Sequence, residues 1–397
     1  MITRMLREAL EAPEAVARQL ALNDGLYREF GAHLREQPPQ SILTLARGSS
    51  DHAAHFMAYL VMARLGRLVA SLPMSLLTLY QSPMACAGVL SLAFSQSGQS
   101  PDLVEPTRFF SDGGACTAAF VNHPESPLAR AAQWVFPLHA GAETSVAATK
   151  SFIAQLVAGA GLVACWQQDE DLQAALTALP EVLTRAAAAD WSAGLATLTR
   201  AERLFVIGRG PGLSVALEAA LKFKETCGIQ AEAFSGAEIM HGPMALIEED
   251  YPLLVLALRG PAQAGLLALA DQMRARCACV AGGARGHAPC QSADRTNGVT
   301  RPGSDFCHSE FLPDGRGAGT CAWHESRPPA LSGQSHPYPL STDQAAGLDC
   351  SHPCLSNQFA DFSTVRSAGQ GLFGDWLRGH TLRHRQCRQQ PHCLRVG

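Results

Sequence analysis

Lysine is almost missing from this chain. Of 31 Lys and Arg residues only three are lysines: Lys150, Lys222 and Lys224. Charged residues make up just 17% of the 397 positions and the formal net charge is -4, against roughly 25% charged in an average soluble protein. No global basic field is therefore available to hold nucleic acid or an anionic membrane. Long apolar runs are also lacking. The longest, Ser151 to Trp166, is interrupted by Gln155 and falls short of the roughly 20 residues of a membrane span. The N-terminus, MITRMLREALEAPEAV, carries charges where a signal peptide has its apolar core. These absences lead us to expect a soluble, cytoplasmic protein with neither membrane nor nucleic acid as partner. With 47% hydrophobic residues the chain is not a disordered one, and its length suits two domains at about 150 residues each.

Residues 277–397 depart from the rest. They hold nine of the 13 cysteines and eight of the 14 histidines, yet no Ile, Met or Lys, and only 18 residues of Val, Leu or Phe. So few core-forming side chains cannot offset the entropy of ordering the chain. A zinc module would need closely spaced ligand pairs. There is no C-x2-C, and neither Cys277-x-Cys279 nor Cys350-x3-Cys354 matches a common ligand spacing, so no metal site is expected. Secreted disulfides do not fit a chain without a signal peptide. This tail reads as disordered or frame-shifted text outside the evolved fold, of the kind a shifted frame in a GC-rich gene would give.

Before residue 277 the pattern is regular. Residues 1–36 carry Leu, Ala and Val at helical spacing. Strand-like runs follow at Ser41 to Ala46, Val89 to Phe94, Cys116 to Val121 and Trp134 to Leu138, and a long helix is expected from near Val146 to about Trp166. Strand, polar loop, helix, strand is the grammar of a parallel sheet covered on both faces, so the fold class is α/β. After an Ala/Leu-rich connector at about 170–200 the pattern restarts. Arg203 to Glu225 resembles Leu43 to Leu60 in its order of strand, Arg-Gly and helix, which reads as a duplicated α/β unit. Another strand at Tyr251 to Leu258 and a helix at Pro261 to Arg276 end the periodicity. The expected organisation is a helical segment at 1–36, a first unit at 37–190, an incomplete second unit at 191–276 and the irregular tail at 277–397.

Three places carry chemistry. Ser95-Gln96-Ser97-Gly98-Gln99-Ser100 sits where a strand ends and a helix begins. There, hydroxyls, free backbone N–H groups and the helix dipole favour a phosphate without needing a lysine. Gly48-Ser49-Ser50 is a second such loop, and neighbouring strands would bring both to one carboxyl edge. Gly208-Arg209-Gly210-Pro211-Gly212 invites a dinucleotide reading but has Leu213 where the third glycine belongs, and no G-x4-GK[ST] occurs. No cofactor is expected. The third place is Lys222-Phe223-Lys224-Glu225 with His241-Gly242-Pro243. Lys222 and Glu225, three apart on a helix, share a face. Glu225 could move a proton between adjacent carbons, Lys222 could stabilise the oxyanion formed, and His241 suits ring opening by general acid–base transfer. Where arginine has replaced lysine almost everywhere, retained lysines mark positions that need a compact ammonium.

Together with Glu143-Thr144-Ser145-Val146-Ala147-Ala148-Thr149-Lys150, these segments resemble the sugar isomerase (SIS) family over about residues 5–276. More narrowly, they resemble the isomerase half of glutamine–fructose-6-phosphate aminotransferase and the stand-alone glucosamine-6-phosphate deaminases. The resemblance implies two tandem SIS domains, each a parallel sheet flanked by helices, the second incomplete. It implies that Gly48, Ser49, Ser50, Ser95, Gln96, Ser97 and Ser100 hold a sugar phosphate and that Val146 and Ala147 line the sugar pocket, with Ala148 where the synthase has Ser. It further implies that Lys222 sits by the reacting carbons, that Glu225 shuttles the proton between C1 and C2, and that His241, lent by the other subunit of a homodimer, opens the ring. The aminotransferase begins with a glutaminase domain whose nucleophile is an N-terminal Cys. Met1-Ile2 leads here straight into the SIS part, with no Cys before Cys86, so deamination of glucosamine 6-phosphate is the expectation rather than glutamine hydrolysis. An aminotransferase-like protein, a deglycase and a non-catalytic sugar-phosphate binder are the alternatives. Family members close the site with a C-terminal segment bearing a Lys. None follows Lys224, and Arg, always protonated, cannot replace a Schiff-base amine.

Overall fold

The computed structural model describes residues 3–275 and 279–281; the expectations for the remainder of 277–397 lie outside the described residues. Two helices come first, α1 (Arg4–Leu10) and α2 (Ala12–Glu36). Thr3 caps α1 by accepting from the Leu6 amide at 3.1 Å, and a proline opens α2 where its missing N–H is no loss. Then follow β1 (Ser41–Leu45), α3 (Ser49–Leu65), β2 (Val69–Ser71), α4 (Ser75–Thr78), β3 (Val89–Ser95), α5 (Pro101–Asp112), β4 (Cys116–Val121), α6 (Pro127–Ala131) and β5 (Trp134–Pro137). The five strands are all parallel, in the order β2-β1-β3-β4-β5.

Helices α7 (Lys150–Gln167), α8 (Glu170–Ala187) and α9 (Ser192–Thr199) lead to a second parallel sheet. It contains β6 (Arg203–Gly208), α10 (Gly212–Cys227), β7 (Gln230–Ser235), two short 3-10 turns (Glu238–His241 and Pro243–Leu246), β8 (Pro252–Val255), α11 (Gln263–Arg274) and β9 (Cys279–Ala281). Among the described residues its order is β7-β6-β8-β9, that of the first sheet without a fifth strand.

Among the differences from the sequence reading, two matter for the site and the second sheet. Helix α7 starts at Lys150, not near Val146, because the Glu143 carboxylate accepts from the amides of Thr149 (2.9 Å) and Ser151 (3.2 Å) and so caps the first turn there. The second sheet also runs past residue 276. Cys279–Ala281 pairs in parallel with Pro252–Leu254; the segment Cys279-Val280-Ala281 is apolar but too short to show a periodicity of its own.

The core of the first sheet is aromatic. Phe94, Phe120 and Phe136 are cross-strand partners on β3, β4 and β5, and their rings stack with centroids 4.4 and 4.8 Å apart. Tyr27 and Phe30 of α2 cover this ladder at 5.6 and 5.4 Å from the Phe136 ring. Such offset pairs add roughly 0.5–1.5 kcal/mol each beyond their burial. The apolar run of α7 is buried from Lys150 to Trp166. A helix apolar all round is one packed on every side, and no helix among the described residues is long and apolar enough to cross a membrane. Helix α2 crosses α7 so closely that a Cβ on Gly31 would stand 2.8 Å from the Cys165 carbonyl carbon and 2.9 Å from the Trp166 nitrogen. We expect Gly31→Ala to cost about 1–3 kcal/mol by forcing these backbones apart. Urea unfolding measures this, and an unchanged midpoint would show that the helices separate freely.

Candidate active site

Strand order fixes where a ligand can sit. From β1 the chain crosses to β2 on one side, then passes back over β1 to β3 and continues outward through β4 and β5. The connections after β1 and β3 leave in opposite directions and open a crevice at the carboxyl ends of these two neighbours. Both serine loops lie on it. Gly48 (φ 57°) begins α3 and Ser100 begins α5, and neither helix receives a side-chain cap. Two sets of first-turn amides thus face the crevice, the arrangement that favours an anion. Gly98 takes φ 63°, and a Cβ there would collide with the Ser126 side chain, so glycine is required. The turn is held by the Gly98 amide donating to Ser95 Oγ (3.0 Å) and the Gln99 amide to Ser97 Oγ (3.4 Å). Ser95 is buried, while Ser49, Ser50, Gln96, Ser97 and Ser100 are half-buried. Gln155 of α7 donates to Ser50 Oγ at 2.9 Å, and an exposed Arg47–Asp102 ion pair of 2.6 Å links the flanks of the two loops.

The second cluster stands on α10. Lys222 Nζ donates to Glu218, one turn earlier, and both side chains are fully buried. The ammonium also stands 5.4 Å from the centroid of the Phe152 ring on α7. The other Glu218 oxygen lies 2.8 Å from His52 Nδ1, and His52 follows Ser50 by two residues on α3. One polar chain, His52–Glu218–Lys222, thus joins the first turn of α3, next to the first serine loop, to the helix carrying Glu225. The sequence reading faced Lys222 with Glu225; the hydrogen bond goes instead to Glu218, because Glu four residues before Lys is the favoured helical geometry. Burial pushes the Glu218 carboxyl up, but Lys222 and His52 outweigh it and hold it below the ordinary carboxylate range. Glu225 moves the other way. Its carboxyl stays exposed, yet the protein mass around it raises its pKa against the pull of Lys222, and the Glu218 charge adds to the rise. A carboxylate raised toward working pH is a better proton shuttle.

The other candidates are placed less closely together. His241 is exposed on its 3-10 turn and makes no hydrogen bond or ion pair with Lys222 or Glu225 among the described residues. Val146 is 86% exposed, whereas Ala147 is buried. Both belong to the loop that leads into α7, whose first turns present Phe152 to Lys222 and Gln155 to Ser50. Among the described residues no group of three His, Cys, Asp or Glu side chains is placed to hold a metal ion. Sequence reasoning missed Glu218, His52, Phe152 and Gln155. Glu218 carried a signal, standing four residues before one of three lysines, and so did Gln155, the polar residue inside the longest apolar run; His52 and Phe152 did not.

Comparison with known proteins agrees with this architecture. The SIS domain profile matches residues 34–164 and 197–281. A glutamine–fructose-6-phosphate aminotransferase (isomerizing) of Zymomonas mobilis is 35% identical over 246 residues, which are 59% of this chain and 40% of that protein. The chain therefore spans less than half of that curated relative. Among solved structures, a protein assigned as a phosphosugar isomerase of Silicibacter pomeroyi matches with a TM-score of 0.68 and 44% identity, over 70% of this chain and 85% of that one. A glucosamine-6-phosphate deaminase of Thermotoga maritima shares the fold, with a TM-score of 0.56 and 19% identity, over 70% of this chain and 84% of that one.

A buried pair that loses one member leaves the other uncompensated. Glu218→Gln strands the Lys222 ammonium without its counter-charge and should cost about 3–5 kcal/mol, whereas Glu218→Leu combined with Lys222→Met should fold with near wild-type stability. Denaturant midpoints of the two variants decide this. A loss under about 1 kcal/mol in the single variant would mean that the pair behaves as a solvated one.

Proposed function

The chain belongs to the SIS domain family, and from that premise we propose that it is a glucosamine-6-phosphate deaminase of the isomerising kind. Its products are then fructose 6-phosphate and ammonia. The observation that supports this most is the polar chain His52–Glu218–Lys222, which starts two residues after Ser50 of the uncapped anion crevice and ends on the helix bearing a carboxylate of raised pKa. The serine loops 48–50 and 95–100 take the phosphate. His241 acts on the site of a second copy as the acid–base group that opens the sugar ring, which its exposed position allows. Glu225 removes the proton from C2 of the open-chain amino aldehyde and returns it to C1. The amine on C2 becomes an imine as the C1 aldehyde becomes an alcohol, and water then hydrolyses the imine to a ketone, releasing ammonia. Lys222, buried on the same helix, contributes positive charge to the field at the oxygen that becomes anionic during the transfer.

A second reading is favoured by one finding, that the curated relative from Zymomonas mobilis is named an aminotransferase. Product analysis separates the two. Ammonia released from glucosamine 6-phosphate in the absence of glutamine supports the deaminase. Glucosamine 6-phosphate formed from fructose 6-phosphate at the expense of glutamine supports the aminotransferase. Binding of either sugar phosphate without turnover supports a non-catalytic binder.

Glu225→Gln should lower turnover roughly 10²–10⁴-fold with ligand affinity retained; unchanged turnover would remove Glu225 from the mechanism. Because its carboxyl is raised and the reaction needs the ionised form, the acid limb of the rate profile should fall above the ordinary carboxylate range.

A further inference from the structure

We propose that helix α1 is a working part of the sugar site, with Glu8 as the positioning residue that holds loop 143–149 in its ligand-ready form. The role rests on the reading above, in which Val146 and Ala147 of this loop line the sugar pocket. The chain between β5 and α7, residues 138–149, has no regular structure, and irregular segments of this length are ordinarily mobile unless tied down. Here it is tied at every stage. Arg18 of α2 donates to the His139 carbonyl from Nε (3.0 Å) and Nη2 (2.6 Å). Asn122 donates to the Gly141 carbonyl (2.7 Å) and accepts from the Ala140 amide (2.9 Å). At the far end Glu143 caps α7, and Lys150 pairs with Glu11.

The middle of the loop is held by Glu8 alone among the described carboxylates. This buried carboxylate accepts from the Thr144 amide (2.6 Å) and hydroxyl (3.0 Å), and from the Ser145 amide (3.1 Å) and hydroxyl. Ser145 Oγ also lies 2.9 Å from the Ala147 carbonyl oxygen. Four donors converging on one side chain need an acceptor with no donor of its own, which among side chains only an ionised carboxylate supplies. Burial pushes Glu8 up, but the hydrogen bonds from Ser145 and Thr144 outweigh it and leave its carboxyl below the ordinary value. The acceptor is therefore ionised at neutral pH, and its hold is lost only as pH falls through that lowered value. The result is a large apolar side chain, Val146, held 86% exposed between Ser145, fixed by Glu8, and Ala147, which is buried. Val146 is thus presented outward, where in this reading the sugar meets it. Helix α1 itself lies before residue 34, where the family match begins.

Glu8→Gln places an amide donor against the Thr144 and Ser145 donors and is the test. Calorimetry on the full chain should show glucosamine 6-phosphate binding weakened about tenfold and inorganic phosphate binding unchanged, since the serine loops keep their anchors. Amide exchange at Thr144 and Ser145 should accelerate more than in the strands of the first sheet. The pair Thr144→Val and Ser145→Ala, which removes side-chain donors from the other side, should weaken sugar-phosphate binding likewise. The proposal is overturned if Glu8→Gln binds the sugar phosphate as the wild type does, or if its affinities for sugar phosphate and inorganic phosphate fall together, as general destabilisation would cause. If the wild type binds no sugar phosphate, the functional reading has failed and this role fails with it, an outcome told from the wild type alone.

Discussion

The burial of α7 is the constraint on which the rest of the structure depends. A helix with no solvated face must be enclosed on every side, and the enclosure is built from α2, α3, α8 and the first sheet. That requirement explains why α2 reaches across to the sheet and covers the Phe94–Phe120–Phe136 ladder. It also explains why Gly31 is bare at the crossing. Once α7 is fixed, its N-terminal end is fixed too, and there Phe152, Gln155 and the preceding loop meet α10, α3 and α1. A rigid apolar rod thus serves to aim polar groups.

Charge inside the protein follows one rule. Every buried ammonium or carboxylate at this end has a partner: Lys222 has Glu218, Lys150 has Glu11, and Glu8 has four donors. Unpaired burial would be prohibitive, so Lys150 with Glu11, and Glu8 with its donors, also fix how α7 and its preceding loop sit against the N-terminal helices. Lys224, the remaining lysine, is exposed. The scarcity of lysine thus marks two places where a point-like ammonium fits and a broad guanidinium would not.

The alternation of strands and helices was plain in the sequence because parallel strands buried on both faces read as unbroken apolar runs. Strand β2, Val69–Ser71, and strand β7, Gln230–Ser235, did not show; the first is short and largely exposed, and the second carries Glu232 and Ser235. Their pairing comes from β1 and β6, not from their own composition. The serine loops could be found because turn chemistry is local. His52 with Glu218, and Glu8 with Ser145, could not, since each joins residues more than a hundred positions apart with nothing periodic between them.

Those long separations set an order in time. Between His52 and Glu218 lie 166 positions, and between Glu8 and Thr144 there are 136. At about 5–20 residues per second on the ribosome, His52 waits roughly 8–33 s for its carboxylate, and Glu8 waits about 7–27 s for its loop. Phe136 completes the aromatic ladder before Thr144 or Glu218 is made, so the nascent first sheet can collapse on it while Glu8 and His52 still face water. The aromatic core of the first sheet is therefore complete in sequence before the partners of His52 and Glu8 exist.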